Sequence, residues 1–179
     1  NNPVPDSSPI LAFEENEYFL FAVADLSGSI PETEAADAIA KSSPYIRRFF
    51  FLKPSIWVIE DTTDKPAECT RWRVSAQVAD TRLQSELLGP AGDPVQPGSD
   101  GTVRSIQLIQ AKPSEGTPSA NGMLVKNGDC LNLTVTSADR IYRIELPSPA
   151  NGAGRIAVED KKATTLVPLR PLPSGVLPH

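Results

Sequence analysis

Prolines punctuate this chain too often for long helices. Eighteen of them, with eleven glycines, are scattered without a repeat through 179 residues. A proline removes a backbone donor and clashes with the preceding helical turn, so the segments between turn signals must be short. Short segments with period-two apolar order read as strands, and an all-β fold is the first expectation. The expected architecture is a two-layer antiparallel β-sandwich, jelly-roll-like, of about ten to twelve strands with one short helix or lid near 31–43. There PETEAADAIAKSS places a proline in a first turn, acids behind it and alanine-rich sequence up to Lys41. Its apolar stripe of Ala35, Ala38 and Ile39 is thin, which suits a lid as well as a packed helix. Residues 1–9 read as an extended lead-in, 10–170 as a single domain and 171–179 as a proline-rich tail.

The pattern divides into hairpins. Ile10 to Glu14 and Tyr18 to Leu26 flank a turn at Glu15-Asn16, with Phe19, Phe21 and Val23 on one face. Tyr45 to Leu52 alternates, Lys53-Pro54-Ser55 turns, and Ile56 to Glu60 returns. This ribbon of three phenylalanines and a tryptophan predicts a buried scaffold, because period-two order with β-branched neighbours suits a core better than rings held in water. Further strands are expected at Glu68 to Val78, Thr81 to Leu87 and Val103 to Ala111, the last between turn-rich loops at 89–101 and 112–122. Two more hairpins follow, Cys130 to Thr136 with Arg140 to Leu146, and Gly154 to Val158 with Ala163 to Leu169.

Charge excludes some partners. The net charge is −5, and residues 1–40 hold eight acids and no Lys or Arg. No basic block or interleaved aromatic run suggests a nucleic-acid groove. No apolar run approaches the ~20 residues of a membrane span, and NNPVPDSSP lacks the basic and apolar regions of a signal peptide.

Chemistry is scarce. His179, the last residue, is the only histidine, which leaves no Ser-His-Asp or Cys-His arrangement and too few soft ligands for zinc. The glycines of NGAG at 151–154 lack the Lys-Ser/Thr of a phosphate loop. No cofactor, metal or catalytic residue is expected. Glu60 and Asp61 are neighbours on a strand, so they face opposite sides and cannot flank one bond. Asp93 and Asp100 sit in a loop without calcium-hand spacing. Arg71, Trp72 and Arg73 form the candidate carbohydrate contact, since arginines on an exposed strand face pair with carboxylates or sulfates of an acidic polysaccharide. The alternative is a solvent face with Trp72 in the core. Cys69 and Cys130, the only cysteines, are either a disulfide, if the protein is exported, or two buried thiols.

The order AVADLSGSIP (22–31), YIRRFFFLKPSIWVIED (45–61), TRWRVSAQ (70–77) and LVPLRPLPSGVLP (166–178) resembles the C-terminal β-sandwich domain of heparinase II/III-like polysaccharide lyases. The resemblance implies a secreted or periplasmic, non-catalytic accessory domain. It would pack on a helical domain of the same parent protein and line a cleft for an acidic polysaccharide. Ser75 stands where the family's Trp-x-x-His strand has histidine, which removes a sandwich-derived catalytic or metal-binding group. Two other readings remain: a free-standing carbohydrate-binding module with Trp57, Trp72 or Tyr45 as an exposed platform, and a structural or adhesive sandwich without a ligand.

Overall fold

The computed structural model describes residues 10–26, 45–63, 82–88, 95–97, 103–112, 116, 118–147, 154–160 and 164–169. The helix candidate at 31–43, the strand expected from Glu68 to Val78, the lead-in and the tail lie outside the described residues. The described residues form twelve strands and no helix. One sheet holds seven: β1 (Ile10–Glu15), β2 (Phe19–Asp25), β3 (Tyr45–Leu52), β4 (Ile56–Thr63), β5 (Arg82–Leu88), β6 (Val95–Pro97) and β7 (Val103–Lys112). Their order is β1-β2-β3-β4-β7-β5, with β6 also paired to β7. The other sheet holds β8 (Asn121–Asn127), β9 (Cys130–Thr136), β10 (Ile141–Leu146), β11 (Arg155–Glu159) and β12 (Thr164–Pro168), in the order β12-β11-β10-β9-β8. Every pairing is antiparallel.

The expected two-layer all-β sandwich is therefore the fold, with a simpler connectivity than a jelly roll. Each sheet is built from one continuous stretch of chain, and hairpin neighbours in sequence are mostly neighbours in space. Alternation explains the layers. Phe19, Phe21 and Val23 of β2, Phe50 and Leu52 of β3, and Ile56 and Val58 of β4 face inward and are buried. They join one cluster with Leu131, Leu133 and Val135 of β9, Tyr142, Ile144 and Leu146 of β10, and Ile156 and Val158 of β11. The rings of Phe21 and Phe50 meet with centroids 4.9 Å apart. Burial of each such side chain stabilises the sandwich by about 1.5–3 kcal/mol before the cost of ordering it.

The aromatic ribbon divides between two faces. Phe50 is fully buried inside, whereas Phe49, Phe51 and Trp57 face outward and are half-buried, with the Phe51 and Trp57 rings stacked at 5.0 Å. Only the inward half serves the core between the layers, because period two sends every second ring to the far side. Tyr45, a candidate stacking platform, is buried.

Two strands are not foreseen by the sequence pattern, and both touch stretches that it assigns to loops. β6 lies in the segment 89–101, and β8 begins at Asn121 in the segment 112–122. β8 turns into β9 through Asn127-Gly128-Asp129, where Gly128 has φ +60°, a left-handed conformation that side chains other than Gly and Asn rarely adopt.

The sheets differ in what their outer faces meet. On the seven-stranded sheet, Ile59, Asp61 and Thr63 of β4 and Ser105 and Ile109 of β7 point away from the other layer and are still buried. On the five-stranded sheet, Met123, Val125 and Leu166 stand 59%, 48% and 60% exposed. The edge strand β1 carries a register shift between Ile10 and Ala12 and an inward carboxylate, Glu14, whose Oε2 is buried without a hydrogen-bond partner. A bulge and an inward charge are two ways of discouraging edge-to-edge pairing.

Candidate functional site

Strand register assembles the densest charged cluster among the described residues. In the β3–β4 pairing Arg48 lies opposite Glu60 and Arg47 opposite Asp61. Because neighbours on a strand face opposite sides, the Arg48–Glu60 pair enters the space between the layers and the Arg47–Asp61 pair faces out. Arg104 of β7 lies beside them, opposite Thr62 and two residues along from Ile106, which is opposite Glu60, so it shares the inward face.

The inner pair becomes a triad. Glu60 is completely buried, and Arg48 and Arg104 nearly so. Arg48 Nη1 donates to Glu60 Oε2 at 3.0 Å and Arg104 Nε to Glu60 Oε1 at 2.7 Å, while Arg104 Nη2 makes a second, short contact with Oε1. The arginines also reach the other sheet. Arg48 donates to the Pro147 carbonyl at 3.0 Å, and Arg104 donates to Leu146 O at 2.8 Å and Asp129 O at 3.3 Å. Burial alone would raise the pKa of Glu60, but the charges of Arg104 and Arg48 and their hydrogen bonds outweigh it and hold the carboxyl below its ordinary value. Its chemistry is that of a structural carboxylate held in its ionised form, the opposite of a general acid, which needs a raised pKa and a path to substrate.

The outer pair is a fork. Arg47 Nε and Nη2 donate to Asp61 Oδ1 and Oδ2 at 2.7 and 2.9 Å, and Arg47 also contacts the Tyr45 hydroxyl. Burial pushes the Asp61 pKa up, with the hydrogen bonds from Arg47 and Tyr45 opposing. Glu60 and Asp61 thus fall on opposite faces, as their adjacency requires.

Among the described residues no group of three or more His, Cys, Asp or Glu side chains could hold a metal. Cys130 starts β9 as a half-buried free thiol, its pKa raised by burial and by the nearby Glu145 carboxylate. Its possible partner Cys69 lies outside the described residues, as do Arg71, Trp72 and Arg73. The triad escapes sequence reading because Arg104 comes from a distant strand. Its available signal is the run Arg47-Arg48 opposite Glu60-Asp61 across a recognisable hairpin.

Among the described residues a concave surface lies on the outer face of the five-stranded sheet. A shallow depression of about 310 Å³ is lined by Asn132, Thr134, Arg143, Glu145, Ala157 and Leu166, with Arg155 at its side. Arg143 pairs with Glu159 at 2.8 Å and Arg155 with Glu145 at 2.6 Å. The two arginine side chains are 54% and 56% exposed, a setting in which such pairs exchange readily with other partners. Compared with family models, with curated proteins and with solved structures, the chain matches none.

Proposed function

We propose that the chain is a non-catalytic accessory β-sandwich domain of a heparinase II/III-like polysaccharide lyase. In that role it packs on a helical domain of the same parent protein and lines one side of a cleft for an acidic polysaccharide, in a secreted or periplasmic setting. The observation that supports this reading is the fate of the charged groups in the hairpin that carries the resemblance. Arg47, Arg48, Glu60 and Asp61 are all spent on pairs within the fold, so the hairpin acts as scaffold for a cleft wall and supplies no acid or base.

The test has a catalytic arm and a binding arm. The pure chain is incubated with heparan sulfate and alginate, and the ultraviolet absorbance of an unsaturated uronate end is followed. No product is expected, and product formed by the chain alone overturns the accessory role. In gels cast with the same polymers, weak retardation of the chain is expected; unchanged mobility at every polymer concentration overturns the cleft-lining role.

A further inference from the structure

The open face of the five-stranded sheet carries a self-complementary pattern. Register partners place Leu166, Ala157, Arg143, Thr134 and Met123 in one row across the strands from β12 to β8. The next outward row is Pro168, Arg155, Glu145, Asn132 and Val125. A two-fold axis lying in the face, between the rows and across the strands, would exchange them.

Under that operation Arg143 of each copy meets Glu145 of the other, giving two opposite-charge contacts at the centre. Thr134 meets Asn132, a hydroxyl against an amide. At one margin Met123 meets Val125, and at the other Leu166 meets Pro168, so apolar groups that stand exposed in one copy cover their counterparts. Arg155, the longest side chain of its row, meets Ala157, the smallest of the other, at the depression. No like charges coincide.

We propose that this face is a self-association surface on which a second copy of the chain docks about that two-fold axis. Charge complementarity selects a second copy over an anionic or cationic ligand, because the face presents Arg143 and Arg155 beside Glu145 and Glu159 and so has no excess of either sign. Residues reached by the same strand geometry in both copies give an isologous contact, which closes at two. Five strands ~4.8 Å apart and outward rows covering about five residues of strand make a patch of roughly 24 by 17 Å. Two such patches, with side-chain relief, bury on the order of 1,000 Å², at the small end of specific interfaces. The dimer is therefore weak and reversible, and its core packs as aligned sheets do.

Sedimentation equilibrium of the full chain from micromolar to millimolar concentration tests this, with two variants. Arg143→Glu sets like charges against each other at both central contacts, and so does Glu145→Arg. Each variant alone is expected to dimerise at least ~10-fold more weakly than wild type, while an equimolar mixture regains dimers because each mixed contact pairs opposite charges. Loss of the intrachain pairs cannot produce that rescue, since neither variant repairs the other's surface. Circular dichroism of both variants should match wild type. A wild-type chain that stays monomeric at millimolar concentration, variants that dimerise as wild type does, or a mixture that stays monomeric overturns the proposal.

Discussion

Among the described residues, arginine and glutamate meet across strands in two settings, with opposite consequences. Inside, Arg48, Glu60 and Arg104 are shut between the layers and bind carbonyls of the opposite sheet. Outside, Arg143–Glu159 and Arg155–Glu145 lie on the open face with their guanidinium groups more than half exposed. The residue types and the cross-strand spacing are alike. Solvent decides the difference, because a charge stripped of water depends wholly on its partners, whereas a hydrated one loses little when a partner leaves. The inner cluster is therefore a tie between sheets, and the outer pairs are exchangeable surface.

Removing the carboxylate at the centre of the tie breaks that contrast most severely. Glu60→Ala leaves two buried arginines without their anion and should destabilise the fold by about 3–5 kcal/mol in urea unfolding. Replacing the triad as a whole with apolar side chains of similar volume should cost far less or stabilise, because the desolvation penalty leaves with the charges. If Glu60→Ala costs no more than a surface substitution, the triad is hydrated and the comparison fails.

Acid repeats the first experiment reversibly. The Glu60 pKa is lowered from its ordinary 4.5, so the unfolded chain takes up that proton first. The stability Glu60 contributes is present above pH 4.5 and is lost as pH falls through its folded value. Asp61 has the opposite sign. Its folded pKa is raised from 3.8, so the folded chain takes up that proton first and stability grows as pH falls from the folded value toward 3.8. Urea midpoints measured against pH should thus lose their acid decline in Glu60→Gln and their small preceding rise in Asp61→Asn. An unchanged acid limb in Glu60→Gln would place the loss elsewhere.

The two arginines of the tie should separate under a gentler change. Arg104 uses three nitrogens, Nε, Nη1 and Nη2, whereas the contacts of Arg48 all leave from Nη1. A lysine offers a single ammonium and can replace only the second pattern. Arg104→Lys should cost about 2–3 kcal/mol and Arg48→Lys about 1 kcal/mol, measured by the same unfolding. Equal losses would mean that charge, not fork geometry, holds the sheets.

How much of this could be read in advance follows the range of the interactions. Hairpins declare themselves locally: the Lys53-Pro54-Ser55 turn, the alternation of Phe19, Phe21 and Val23, and the β9–β10 and β11–β12 pairs lie where the pattern places them. That Glu60 and Asp61 fall on opposite faces follows from period two alone. β8 is the instructive miss. Met123, Val125 and Leu124 are a short apolar run on an edge strand with one exposed face, and the Asn127-Gly128 pair that marks its hairpin is easily taken for loop. Arg104 joins Glu60 from 44 residues away, and no local pattern carries that contact. The split of Phe49, Phe50 and Phe51 shows a further limit: a ribbon apolar on both sides does not say which side meets the other sheet.

The smallest effect sharpens the comparison from the exposed side. Glu159→Ala removes the partner of Arg143, which stays on the surface with water in its place. Exposed pairs of this kind contribute little and are screened by salt, so the urea midpoint of the dilute chain should barely move, and any shift should vanish in molar salt. The carboxyl of Glu159 is held below its ordinary value by the hydrogen bond and charge of Arg143, which shows a contact but, with both groups in water, little stability. Arg143 would remain free to meet Glu145 of a second copy, so self-association should survive Glu159→Ala while failing in Arg143→Glu. A large loss of fold stability in Glu159→Ala would mean that the outer pair, like the inner one, is part of the scaffold, and the distinction between tie and surface would be lost.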